Sequence, residues 1–218
     1  MTPPSLGTAN QVPPYGPRPG VHPVWLLIGP ALAASLGAYL LTITVGLEWA
    51  SIQRSLGMPS LGLLWIFGAY LLSAALAVPV GALVGRWWPT AVTLPAIALL
   101  VPGSLLTALS PGISLLLVGR AVTGLGAGLA WGVTAVLVAQ VGARHVWVTS
   151  LVAGAVVLGL GLGPVAGEIL VRTLGRPWPF MLAVPFGVVA MLATAVSGIV
   201  VLTQRVSQPA QPPAAPSA

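Results

Sequence analysis

Acid–base and metal chemistry need carboxylates, imidazoles or thiols, and this chain of 218 residues has few of them. It holds two acids, Glu48 and Glu168, and two histidines, His22 and His145. Cysteine, lysine and aspartate are absent, and the eight strong cations are all arginines. These groups are scattered, so no hydrolytic constellation or metal-ligand spacing can be read. Without lysine a GxxxxGK[ST] phosphate loop is impossible, which argues against ATP-driven pumping by this chain. Without cysteine there are no disulfides and no thiolate metal sites. The net charge of +6 comes with no basic run, whereas nucleic-acid binding needs a clustered phosphate-neutralising patch. The residues imply no cofactor and no metal, and point away from an enzyme.

What remains is charge in unusual places. Arg120 lies well inside an apolar run. A guanidinium in hydrocarbon costs several kcal/mol unless it faces a cavity or finds acceptors. It does not usefully deprotonate, so it cannot itself carry a proton. One role open to it is a structural clamp on backbone carbonyls of the first span. Glu48 is the best candidate to titrate, because burial and a nearby guanidinium act on a carboxyl in opposite directions; its alternative is an interfacial acid facing water. Glu168 precedes Arg172 by four residues, the spacing of an ion pair on one helix, with a proton-relay role as the rival. Arg86 follows the second apolar run. Thr42, Thr44, Trp131, Thr134 and Gln140 are the polar or aromatic positions within the spans that could meet a cargo. For Trp131 plain core packing is the competing role.

The elements that position these groups are six apolar stretches. About 20 apolar residues cross the hydrocarbon core as a helix. Apolar residues make up 57% of the chain and charged residues 5%, whereas soluble domains carry roughly a quarter charged residues. The expected spans are about 23–47, 61–84, 91–109, 113–141, 146–171 and 180–202. Together they form one six-helix transmembrane bundle over 23–202. The Pro/Gly-rich segment 1–22 and the Pro/Ala-rich segment 203–218 bury too little apolar area to offset ordering entropy, and both read as disordered tails and natural ends. The first span is too long for the apolar region of a cleaved signal peptide. Short loops predict antiparallel sequential neighbours. Trp25, Trp49, Trp65, Trp87, Trp88, Trp147 and Trp178 fall near span ends, as an interfacial aromatic belt does. Small residues recur every fourth position in three spans: Ser73, Ala77, Gly81 and Gly85; Gly124, Gly128 and Gly132; Ala155, Gly159, Gly163 and Gly167. Each row lies on one helix face, where it permits close backbone approach.

Several segments, in order, resemble the N-terminal half of a major facilitator superfamily transporter, especially its drug/proton antiporter branches. Ser51 to Met58 looks like the first outer loop, and Trp65 to Leu72 like the start of the second helix. Arg120 to Gly128 is similar to the fourth-helix motif RxxxGxGaa, a likeness that implies coupling to a nearby acid as a second role for Arg120. Gly159, Gly163, Pro164 and Gly167 match the fifth-helix motif GxxxGPxxGG except at its last glycine, which is Glu168. Trp178 to Gly187 resembles the start of the sixth helix. The departures are informative. Leu41 falls near the first-helix acidic position, Gly85 replaces the loop aspartate, and Arg86 is the surviving charge of that loop. The resemblance covers about residues 24–202, whereas family members have twelve or fourteen helices.

The resemblance implies an all-α membrane protein with a half bundle built as a three-plus-three repeat. It implies a half-size secondary transporter in the plasma membrane, both termini cytoplasmic, moving a small, partly apolar molecule against protons. Its partners would be the lipid bilayer, substrate and protons, and either a second copy in a homodimer or a separate six-helix half. Helices 2 and 5 lie against the other half in the family, so the small-residue rows there are expected to form that interface. The rival is a non-transporting accessory subunit or degenerate remnant, favoured by the two lost carboxylates.

Overall fold

The computed structural model describes residues 24–55, 61–141, 146–175 and 177–206, with side-chain surroundings for 25–44, 64–141, 146–175, 177–201 and 203. A 3₁₀ turn at Val24–Leu27 leads into α1 (Ile28–Ser55), followed by α2 (Leu61–Gly85), α3 (Pro89–Ala108), α4 (Ile113–Val141), α5 (Val146–Leu174), a short α6 (Trp178–Met181) and α7 (Ala183–Val206). Among the described residues, six helical stretches are long and apolar enough to cross a membrane, and there are no strands. In hydrocarbon every backbone polar group must be satisfied within the protein, and helices do this segment by segment.

α4 has the bounds expected from its apolar run. α1 and α5 continue past theirs, to Ser55 and Leu174. At 28 and 29 residues they measure roughly 42 Å, longer than a ~30 Å hydrocarbon core. α5 ends at Gly175, whose positive φ of 98° is the left-handed terminator that glycine adopts without strain. The sixth span is broken rather than continuous. Pro185 has no N–H to bond the Met181 carbonyl, so the chain completes a short turn before α7 begins. Residues 203–206, expected in the C-terminal tail, are the last turn of α7.

The expectation that sequential helices pack as neighbours holds for α3 on α4 but fails for α1 on α2, which barely touch. α2 packs along α4, and α1 packs along α5. Short connections set helix direction, not adjacency. α1 and α4 are the central helices, with 61% and 56% of their most apolar stretches buried, against 28% for α2 and 17% for α5.

The small-residue rows explain the pairing, and they correct a second expectation. They do not await another half; they are consumed inside this bundle. A Cβ at Gly81 would lie 2.9 Å from the Leu129 Cα, and one at Gly85 would lie 2.6 Å from the Val133 side chain. From the other side, a Cβ at Gly128 would lie 2.8 Å from both the Ala74 Cα and the Ala77 Cβ, and Gly124 sits against Tyr70 and Ser73. The contacts rise together in number, so α2 and α4 run parallel with interlocking rows. On α5, Gly159 lies against Ser35 and Ala38, and Gly163 against Tyr39, Thr42 and Ile43; Gly167 is buried and Pro164 half-buried. α3 and α4 close antiparallel through Gly103, Gly119 and Gly126, where a Cβ at Gly126 would lie 2.6 Å from the Ala96 carbonyl oxygen.

Candidate functional site: a buried arginine at a four-helix junction

The close approach of α4 to α2 and α3 brings one charge into the core. Arg120 is 1% exposed, and it is the largest fully buried side chain among the described residues. Its Nη1 donates to the Leu40 carbonyl of α1 at 2.8 Å. Its guanidinium carbon lies 5.6 Å from the Tyr70 ring of α2 and 5.9 Å from the Phe180 ring of α6. Both are within cation–π range, which gains weight where water is excluded. A delocalised guanidinium tolerates this setting better than an ammonium, being more weakly hydrated and rigidly pre-organised.

Tyr70 and a second aromatic residue, Trp131, are fixed in the same manner. The Tyr70 hydroxyl donates to the Gly37 carbonyl at 2.7 Å. The Trp131 indole Nε1–H donates to the Ala34 carbonyl at 2.9 Å. Their rings meet at 6.3 Å in a tilted arrangement. The Tyr39 hydroxyl donates to the Pro179 carbonyl at 3.2 Å. Arg120 thus donates to a first-span carbonyl, at Leu40.

The other candidate residues fall in different places. Glu48 is on α1 but its side chain lies outside the described residues. Glu168 is ion-paired with Arg172 one turn on, both side chains more than half exposed, so this acid stands apart from the buried arginine. Arg86 is exposed beyond α2, its guanidinium 5.3 Å from the Trp87 ring, at the opposite end of the bundle from the α3–α4 connection. Thr42 and Thr134 donate their hydroxyls to carbonyls on their own helices, at Ala38 and Ala130. Thr44 does the same at Leu41. Each keeps only acceptor lone pairs for another molecule. The Gln140 amide oxygen is buried without a hydrogen-bond partner. Among the described residues, no three His, Cys, Asp or Glu side chains group as a metal site would need.

Sequence reasoning missed Tyr70 and Phe180. A signal existed for Tyr70: a tyrosine in mid-span, away from the interfacial belt, needs a partner for its hydroxyl.

The sequence model of the Major Facilitator Superfamily matches residues 27–217. The chain belongs to the major facilitator superfamily. No curated protein matches it. It is thus an all-α, multi-pass membrane protein of a transporter family, carrying a superfamily-type half bundle in its six long helices. The junction described above is where the buried charge of this bundle sits.

Proposed function

We propose that this chain is one half of a proton-coupled secondary transporter that exports a small, partly apolar molecule. The other half is a second copy of the chain, in a parallel C2 dimer that imitates twelve helices. The carrying observation is Arg120: a guanidinium held 1% exposed among apolar helices costs more than a packing role requires. Two halves of a full superfamily member are related by an axis along the membrane normal, so two identical copies satisfy that relation. Support for the partner lies in the outer surfaces of α2 and α5. With their small-residue rows used within the bundle, they still present Leu72, Leu76, Val80, Leu158, Leu162 and Val165 outward. Glu48, on the helix whose Leu40 carbonyl receives Arg120, is the proposed proton carrier. The protein resides in the plasma membrane with both termini cytoplasmic.

The test is flux in proteoliposomes with an acidic lumen and a trapped pH indicator, using ethidium as the aromatic probe. Probe-dependent discharge of the gradient by the wild type, lost in Glu48→Gln, supports the reading. No discharge by a reconstituted, folded wild type refutes it and favours the accessory or remnant role, to which Leu41 and Gly85 in place of the family's carboxylates point.

A further inference from the structure

α5 is the least buried of the six spans, and its outward face has a regular grain. The inward face is already occupied: Gly159 and Gly163 meet α1, and Gly167 is buried. On the opposite face residues recur every seven positions. Leu151, Leu158, Val165 and Arg172 hold one place in the repeat, and Gly154, Gly161 and Glu168 hold the place three residues on. All seven are exposed. Alternating steps of three and four give a period of about 3.5 residues, so these are the a and d positions of a left-handed coiled coil.

The glycines distinguish this face from a plain lipid-facing one. Among residues with described surroundings, Gly154 and Gly161 are the only exposed glycines, and a Cβ on either would meet nothing within 4 Å. Glycine inside a helix costs about 1 kcal/mol relative to alanine, and within this chain neither glycine returns a close contact. α7 shows the contrast. Its outward face carries Phe186, Val189 and Val196, and its glycines at 187 and 198 lie against Val101 and Thr90. On α5, leucine in one place and glycine in the other make knobs and holes, and small residues let two backbones approach closely in a bilayer. The charges give the seam a direction. At its α6 end Glu168 and Arg172 form an exposed ion pair. In a parallel pair of α5 helices both ion pairs meet at one end, where each Glu168 can reach the Arg172 of either copy. An antiparallel pair would instead set each ion pair against the apolar Trp147–Leu151 end of its neighbour, where desolvation goes uncompensated.

We propose that α5 is a self-recognition helix: two copies of this chain meet α5 to α5, in parallel, along the seam from Leu151 to Arg172. Leu158 of each copy fits between Gly154 and Gly161 of the other, and a four-charge cluster of Glu168 and Arg172 closes one end. The seam extends over roughly 32 Å, about the thickness of the hydrocarbon core. That the partner is a second copy rests on the proposed transporter reading; that α5 meets its own counterpart is what the seam adds.

The experiment is oxidative cross-linking of single-cysteine variants of the full chain in native membranes, which the absence of natural cysteine makes clean. Leu151→Cys, Leu158→Cys and Val165→Cys lie on the seam; Ala153→Cys and Leu160→Cys are exposed on α5 but off it; Leu72→Cys and Leu76→Cys report on α2. The three seam positions are expected to give disulfide dimers, and the off-seam positions about tenfold less. Gly161→Leu, whose new side chain meets nothing inside the chain, should weaken dimerisation of the Leu158→Cys protein on the order of tenfold while leaving its fold intact. Cross-linking at Leu158→Cys without Leu151→Cys and Val165→Cys overturns the parallel register. Equal cross-linking on and off the seam, or dimers formed through the α2 positions and not through α5, overturns the seam and leaves a second copy as the partner. No cross-linking anywhere, with a monomeric mass, overturns the seam and the second-copy reading together. Seam cross-links in a protein without flux refute the transport reading alone.

Discussion

Gly128→Leu measures how tightly the central seam is closed. A Cβ at this position would lie 2.8 Å from the Ala74 Cα and from the Ala77 Cβ, where carbons rest at roughly 3.5–4.0 Å. α2 and α4 must therefore part by about 1 Å for the first carbon alone, and a gap of that size forfeits a quarter to a half of each contact along the seam. The obstacle includes backbone, so a rotamer change cannot relieve it. We expect Gly128→Leu to destabilise the bundle by about 3–5 kcal/mol, above the usual range for point changes, and Gly128→Ala by about 1–3 kcal/mol. Gly161→Leu is the matched control. It makes the same chemical change on α5, where a Cβ meets nothing within 4 Å, and should shift stability by less than ~1 kcal/mol. The assay is reversible SDS denaturation in mixed micelles, followed by the fluorescence of the eight tryptophans. Equal stability of the 128 and 161 variants would refute the assignment of the α4 row to an internal seam.

Gly163→Leu presses on Tyr39, Thr42 and Ile43 of α1 and should lower the stability of the isolated chain by about 2–4 kcal/mol; loss of self-association with unchanged chain stability would place that row at an external interface instead. Arg120→Ala removes the donor to Leu40 and opens a cavity between two rings, so its midpoint should fall by the equivalent of about 2–4 kcal/mol, as buried large-to-small changes do; Arg120→Lys should recover only part, because an ammonium is more strongly hydrated and lacks the planar fork. Glu168→Gln breaks an exposed ion pair and should change stability by less than ~0.5 kcal/mol, read in the same titration; a larger loss would mean the pair is not solvent-screened. Because the sequence contains no cysteine, a single cysteine near either terminus reports sidedness: membrane-impermeant maleimide should label both only after permeabilisation of whole cells, and labelling from outside would reverse the proposed orientation.

The spans, their approximate ends and the membrane class were legible because a long apolar run has one stable solution in a bilayer. Where the helices stop was less so. Ser51, Gln53 and Arg54 are compatible with helix, so α1 runs on past its apolar stretch, and Pro185 split a span that reads as continuous by hydropathy alone. The rows at Gly81, Gly128 and Gly163 announced close contact but not its partner, since spacing defines a face and says nothing of what meets it. For the same reason the α2–α4 and α1–α5 pairings were hidden: they join residues some fifty to well over a hundred positions apart. Arg120 was legible as a buried charge, and its carbonyl clamp as one of two roles. That Leu40, Tyr70, Phe180 and Arg120 converge was not, because no periodicity links them.

In the proposed function this six-helix bundle works against a second copy of itself. The most direct test is the protein mass of the purified chain in lipid nanodiscs and in mild detergent, by light scattering corrected for bound lipid and detergent. The expected result is a stable species of twice the 22.0 kDa chain mass. A clean monomer in both settings would contradict it, leaving nothing for this half to move against.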